Sequence, residues 1–412
     1  MRGRDLQPTL ETLIAVREAF CDEMKRGFSG AESSFRMLAS YQKLPTGKEN
    51  GCYLAVDFGG TWVRCLRINL QDQKWSIQKQ QSFSLNETTA DRDYTSERVS
   101  GEELFDRIAM EFVKITNAEE ELLLGHVFSF PGIQTDSQTL TLLRWTKEIK
   151  TGGMIGKDVN QMLQAGLNRA GRPRIKVVSV MNDTVATLLT ASFQNPVIQI
   201  GGICGTGHNL CYFEARHSDG PMVVNLESGN FNRLSQTSID KVLDCQSSDP
   251  GKQLLEKQVG GRYLGEICRL GLVAEWGTGV PEWFTQLHSV TSSDLVEWLE
   301  LGSRREWLQS RELSLSEKDE NKLYEWAQGS LFRSASLVGA CLAGIADYLN
   351  ISENNPVGVG IDGSLYLKNR NYQKWVLKAL ENLQMKEKIF IQSIEDGSGI
   401  GGAIGAAMQV KK

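Results

Sequence analysis

Two short apolar runs break in the same way, and together they limit what this chain can fold into. Tyr53-Leu-Ala-Val-Asp57 runs into Phe-Gly-Gly-Thr61 and then into an alternating stretch, Val63 to Leu70. Much later, Val197 to Cys204 runs into Gly-Thr-Gly207 and on into Asn209 to Glu214. A short apolar run bounded by glycine reads as a buried strand, and glycine at its end permits a tight reversal into the next. The two passages suggest two halves of related design facing one another. On pattern alone, two unrelated hairpins give the same text.

The rest of the chain alternates in texture. Leu6 to Leu44 is expected to be mostly helical, with Leu10, Leu13, Ile14, Val16, Phe20, Met24 and Phe28 near a 3.6-residue period and a first break between Gly27 and Gly30. A third strand is expected over Trp75 to Phe83, another over His126 to Phe130 before Pro131, and others over Ile175 to Met181 and Val357 to Ile361. Helices are expected over Glu102 to Thr116, Lys157 to Ala170, Asp183 to Ser192, and Gln253 to Leu272 with an interruption at Gly260-Gly261. Glu312 to Lys322 reads as a solvated connector or helix start, Leu331 to Leu349 as a buried helix, and Gly397 to Met408 as a helix of small residues. Strands alternating with helices make the class α/β. A chain of 412 residues is long for one core, so two domains are expected.

Composition excludes some functions. The formal net charge is −5 and the pI near 5.6, which gives no basic footprint for nucleic acid. An anion such as a nucleotide is still open to local backbone amides. The eight cysteines include no CxxC pair and form no ligand pattern with His126, His208, His217 and His288, so no zinc site is expected. Scattered cysteines suit a reduced, cytoplasmic setting. Leu337 to Leu349 is the longest apolar candidate and falls short of a membrane span, and the N-terminus does not read as a secretory signal, so no membrane partner is expected.

Phosphate-binding candidates are the turns. Asp57, Gly59, Gly60, Thr61 and Arg64 offer two glycines, a hydroxyl, an acid able to hold Mg²⁺ through water, and a cation. Gly205, Thr206 and Gly207 offer a second turn; Asp362, Gly363 and Ser364, and Gly397 to Gly399, offer two more. None is a Walker A loop. The acid–base candidate is Asp183 in Asn182-Asp-Thr184, at the end of a strand, where ligands of α/β sheets gather. Asp183 as a helix N-cap is the competing reading, and the two roles do not exclude each other. Ser129, Thr146, Lys147, Asn209, Glu227 and Glu256 are further polar candidates of the kind a sugar needs.

These motifs, in order from about Met37 onward, resemble the hexokinase family. Leu44-Pro-Thr-Gly47 through Arg64 resembles its first phosphate segment, and Phe128-Ser-Phe-Pro131 with Trp145-Thr-Lys147 its sugar signature. Val180-Met-Asn-Asp-Thr-Val185 resembles the catalytic segment and Gly205-Thr-Gly-His-Asn-Leu-Cys-Tyr212 the second phosphate segment. Asp249 to Lys257, Tyr263 to Glu266, Ile361 to Tyr366 and Glu395 to Gly399 complete the set. The resemblance implies a two-lobed actin-like ATPase fold of duplicated ribonuclease H-like domains with a cleft between the lobes. It implies a small lobe of residues 51–181 plus 398–412 and a large lobe of 1–50 plus 182–397. It implies an ATP-dependent hexokinase, with Mg²⁺, acting on the 6-hydroxyl of glucose or a close relative in the first step of glycolysis. Asp183 would be the base, with Ser129, Thr146, Lys147, Asn182, Asn209, Glu227 and Glu256 on the sugar. Asp57, Gly59, Gly60, Thr61, Arg64, Gly205, Thr206, Gly207, Asp362, Gly363 and Ser364 would lie on the nucleotide side.

Trp62, Glu148, Ile149, His208, Leu210, Ser228 and Ile400 depart from the family's usual residues. Two other functions are open: a sugar sensor of hexokinase type without catalysis, and a kinase for another small acceptor. Glu227 and Glu256 favour a neutral polyol over a carboxylate acceptor.

Overall fold

A computed structural model of the chain describes residues 2–86, 93–146 and 148–410. The chain divides into two compact units. One comprises Met1–Met37, Gly202–Leu210 and Leu226–Ser393; the other comprises Leu38–Gly201, Cys211–Asn225 and Ile394–Lys412.

The second of these is built on a five-stranded sheet in the order Lys74–Ser84, Trp62–Gln71, Gly51–Phe58, Leu122–Phe128, Ile175–Met181. The first three strands are a meander of antiparallel neighbours; the last three run parallel. Alternation along Gly51–Phe58 explains both faces. Leu54, Val56 and Phe58 join one core with Leu104, Phe105 and Ile108 of the helix Gly101–Ile115 and Leu163 of Val159–Arg169. Tyr53 and Ala55 join another with Val185 and Leu189 of the helix Asp183–Gln194 and Ala403 and Ile404 of Gly397–Ala407. Asp57 shares the parity of that second face. The Gly397–Ala407 helix lies so close that a Cβ on Gly125 of the sheet would strike the Gly402 carbonyl, which is why this helix is made of small residues. Ser100 and Glu103 form a capping box at the start of Gly101–Ile115, as the Ser-x-x-Glu spacing requires.

In the other unit the helix Glu317–Tyr348 is the centre of packing, with Leu10–Phe28, Gly261–Trp276 and Arg370–Asn382 against it. It begins inside the charged stretch read as a solvated connector or helix start, with Ser316 as its cap. This helix is long and apolar enough to span a bilayer by length and composition alone, yet 94% of its apolar window is buried, as in a core helix. Arg17 on Leu10–Phe28 reaches Asp347 at 2.6 Å, and Arg333 pairs with Asp240 through two bonds of 2.8 and 2.9 Å, both partners buried. Val357–Asp362 runs parallel to Ile389–Ser393. In the second unit Met222–Asn225 pairs antiparallel with Leu38–Ala39 on one side and with the end of His208–Glu214 on the other.

The helix expected over Leu6 to Leu44 is overturned beyond Phe28. Gly30 turns the chain with φ +76, and Glu23 then takes the Ser34 N–H at 2.7 Å and the Ser33 hydroxyl at 2.9 Å. Side-chain bonds back to the helix replace the ladder, and the next regular element is the two-residue strand Leu38–Ala39. All eight cysteines are free.

Candidate active site

The three parallel strands decide where the chemistry of the second unit can lie. Their register aligns Asp57 with Val127, Phe58 with Phe128, and Val127 with Met181. The residues that follow each strand therefore leave from one edge of the sheet: Gly59 to Thr61, Ser129, and Asn182 with Asp183. The carboxyl end of parallel strands is where α/β sheets bind ligands.

The Gly59-Gly60-Thr61 turn is a tight reversal, closed by the Gly59 N–H donating to the Trp62 carbonyl at 3.0 Å. Thr61 and Trp62 are exposed. Asp57, on the strand before it, accepts from the Ser398 hydroxyl at 2.8 Å and from Arg64 at 2.7 Å. The other guanidinium nitrogen of Arg64 donates to Asp396 at 2.7 Å. Burial pulls the Arg64 pKa down, but Asp57 and Asp396 outweigh it and hold the cation above its ordinary value. Asp396 and Ser398 were not singled out as individual residues from the sequence; only the turn containing them was. Their signal was an Asp-Gly-Ser-Gly run at a helix start.

Ser129 lies between Phe128 and Phe130, whose rings are 4.9 Å apart, with Trp145 5.0 Å from Phe130. The indole N–H of Trp145 donates to the Thr151 carbonyl at 2.9 Å, which anchors the loop that carries Thr146. The Ser129 hydroxyl is buried and has no hydrogen-bond partner among the described residues. Lys147 lies outside the described residues.

The competing reading of Asp183 as an N-cap is corrected by the structure: Asn182 is the cap, accepting the Thr184 N–H at 2.9 Å, and Asp183 is the first helical residue. One oxygen of Asp183 accepts from Thr184, N–H at 2.7 Å and hydroxyl at 3.2 Å. Its second oxygen has no hydrogen-bond partner among the described residues. Asn182 and Asp183 are half-buried.

The first unit brings together most of the remaining candidates. In the Gly205-Thr206-Gly207 turn the Gly205 N–H donates to Gly207, at 3.1 Å, while the Gly205 and Thr206 carbonyls accept from Gly261 and Arg262, both at 2.9 Å. The turn is thus held by the N-terminus of the helix Gly261–Trp276. Gly363, at φ +112, has no room for a Cβ, which would fall 2.7 Å from the Gly205 nitrogen and strike the Cys204 carbonyl. Asp362 accepts the Gly363 N–H at 2.6 Å, and Ser364 is exposed beside it. The two glycine turns therefore touch.

Glu256 accepts the His208 N–H at 3.1 Å, and Asn209 accepts the N–H groups of Leu210 at 2.8 Å and Ser228 at 3.1 Å. Glu227, next to Ser228, has the left-handed φ of 54. Asn209 and Glu256 thus meet around the strand start at His208, and Glu227 adjoins them through its neighbour Ser228. The His208 ring is buried there, 3.7 Å from the Cys204 sulfur, and burial pushes its pKa down to about 4.

Among the described residues no group of three or more acidic, histidine or cysteine side chains stands ready for a metal. Magnesium needs no such cage: it keeps waters and substrate phosphates and takes one or two carboxylates. Asp57 fits that limited role.

Two family models, each described as hexokinase, match residues 3–193 and 199–408. Human hexokinase-1 is 33% identical over 97% of this chain and rat hexokinase-2 is 34% identical over 97%. Each match takes in 46% of the relative, so the chain spans about half the length of the curated relatives it matches. A crystal structure of a hexokinase superposes with a TM-score of 0.88 at 30% identity, covering 98% of this chain and 97% of the other. A hexokinase from Schistosoma mansoni, solved in complex with glucose, gives 0.83 at 29% identity, covering 98% and 97%. Hexokinases have the two-lobed actin-like ATPase fold, so the α/β class and the fold stand as read from the sequence. The chain belongs to the hexokinase family.

Proposed function

We propose that this protein transfers the terminal phosphoryl group of ATP to the 6-hydroxyl of a hexose, glucose first among them. One observation carries the reading. At the carboxyl edge of three parallel strands, Asn182 serves as the helix cap and leaves Asp183 with a carboxylate oxygen unengaged among the described residues. That is the placement a general base for an alcohol requires.

In this mechanism Asp183 accepts the proton of the 6-hydroxyl as its oxygen attacks the phosphorus. Ser129, Thr146, Lys147, Asn182, Asn209, Glu227 and Glu256 hold the other hydroxyls. Ser129 supports this role, since a buried hydroxyl without a partner costs about 1–3 kcal/mol and a polyol relieves it. Gly59 to Thr61, Arg64, the Gly205 to Gly207 turn and Asp362 to Ser364 line the nucleotide's path. Asp57 would hold Mg²⁺ through water, and the ion, when bound, would supply neutralisation of phosphate charge. Positioning and charge do most of the work in phosphoryl transfer, so the site must exclude water when sugar is bound.

The test is ADP release from Mg-ATP with glucose, mannose, fructose and glucosamine in turn. Sugar-dependent release with a hexose 6-phosphate product, and slow hydrolysis without sugar, is the expected result. Sugar binding without ADP release would replace the reading with a sensor, and fast sugar-independent hydrolysis would replace it with another ATPase.

A further inference from the structure

The Arg64 guanidinium stands against two carboxylates that are not equivalent. Asp57 is largely buried, its side chain 13% exposed, and is fixed by the Ser398 hydroxyl at 2.8 Å as well as by Arg64. Asp396 is 51% exposed, and its oxygen reaches Arg64 at 2.7 Å. Its backbone sits at φ 54, ψ 29, the left-handed region, at the N-cap position of the helix Gly397–Ala407. A cap aspartate ordinarily turns its oxygen to the helix amides. Asp396 makes no such bond. A residue in a conformation that glycine adopts more easily, with its usual partner given up, is held there by the contact it makes instead. That contact is Arg64.

We propose that Asp396 is a releasable counterion for Arg64, occupying the guanidinium edge that a nucleotide phosphate would otherwise take, and so sets the affinity for nucleotide from within the protein. This rests on the reading of Arg64 as a phosphate contact. The trio of one cation and two carboxylates carries a net charge of −1, which repels an incoming polyphosphate. Phosphate gains Arg64 only when Asp396 turns outward into solvent, where it is already half exposed. Asp57 cannot leave as easily, because Ser398 holds it and burial penalises an unpaired carboxylate. Exposed ion pairs are weak, so the barrier is small and the exchange reversible.

The experiment is steady-state kinetics of the full chain and Asp396→Asn, with ATP and sugar varied separately, together with equilibrium binding of ATP and ADP to both proteins. The expected outcome is a two- to five-fold lower KM for ATP and a similar tightening of nucleotide binding in Asp396→Asn, with the sugar KM unchanged. Asp396→Gly should tighten nucleotide in the same way and also relieve the backbone. An unchanged or raised ATP affinity in both variants overturns the proposal. So does a variant that alters ATP and sugar constants alike, which is what a merely structural role would do. The binding arm separates this failure from that of the assigned function: if no sugar is phosphorylated by the unaltered protein, nucleotide affinity still reports on Asp396.

Discussion

Two buried imidazoles make the protein's stability fall in mild acid. His126 lies inside the sheet core, its Nδ1 2.9 Å from Asn160 and its ring against Phe105 and Phe128. His208 lies under the Asn209–Glu256 cluster. Burial pushes both from 6.5 down to about 4. The unfolded chain therefore binds protons below about pH 6.5 that the folded one refuses, and stability drains as pH falls from there toward about 4. Between pH 7.5 and pH 5 each ring removes about 2 kcal/mol, the pair about 4 kcal/mol. That is a large share of a usual 5–15 kcal/mol total. The depressed carboxylates, Asp319 at about 2 among them, lose their contribution only further down, so this window reports the rings. Urea unfolding at steps from pH 7.5 to 5 measures the slope. His126→Phe will be less stable at neutral pH, because Asn160 loses its partner, but its slope should drop by about half. A flat profile for the unaltered protein, or an undiminished slope in the variant, would show that the rings protonate without cost and would refute the reasoning.

Other outcomes follow from single contacts. Ser129→Ala should raise the sugar KM at least several-fold while leaving thermal stability equal or higher by up to about 1 kcal/mol, because a buried unpartnered hydroxyl is removed; kinetics and a melting curve check both. Gly363→Ala should cost at least about 1–3 kcal/mol from its positive φ and force the Gly205 turn to move, seen as a raised ATP KM beside a lowered melting point. Arg333→Met should cost about 3–5 kcal/mol, because Asp240 stays buried without its cation; calorimetry reads it.

Two strands of the second unit were legible from the breakers after them: Gly51–Phe58 stops at Gly59, and the strand expected over His126 to Phe130 before Pro131 runs from Leu122 to Phe128. Asp183 was legible as a candidate for another reason: Asn182 and Asp183 follow an uninterrupted Val-Val-Ser-Val-Met run. Which of the two caps the helix was not, because either side chain has the right reach and only the backbone turn decides. The Arg64–Asp396 contact spans 332 residues and has no local signature. The helices Leu301–Ser310 and Arg370–Asn382 and the strands Met222–Asn225 and Ile389–Ser393 were not read either. Leu301–Ser310 carries few apolar residues and takes its order from packing, with Trp307 against Trp298 at 5.0 Å and Arg311 over its ring. The end of the first helix was legible at the break between Gly27 and Gly30, but that no helix resumes toward Leu44 was not, because Glu23 draws Ser33 and Ser34 back by side-chain bonds that periodicity does not register.

Asp183→Ala, assayed for hexose 6-phosphate under saturating Mg-ATP and for glucose binding at equilibrium, bears most directly on the proposed chemistry. Loss of the base should lower turnover by about 10²–10⁴-fold while glucose affinity shifts only a few-fold. Turnover equal to that of the unaltered protein would contradict it.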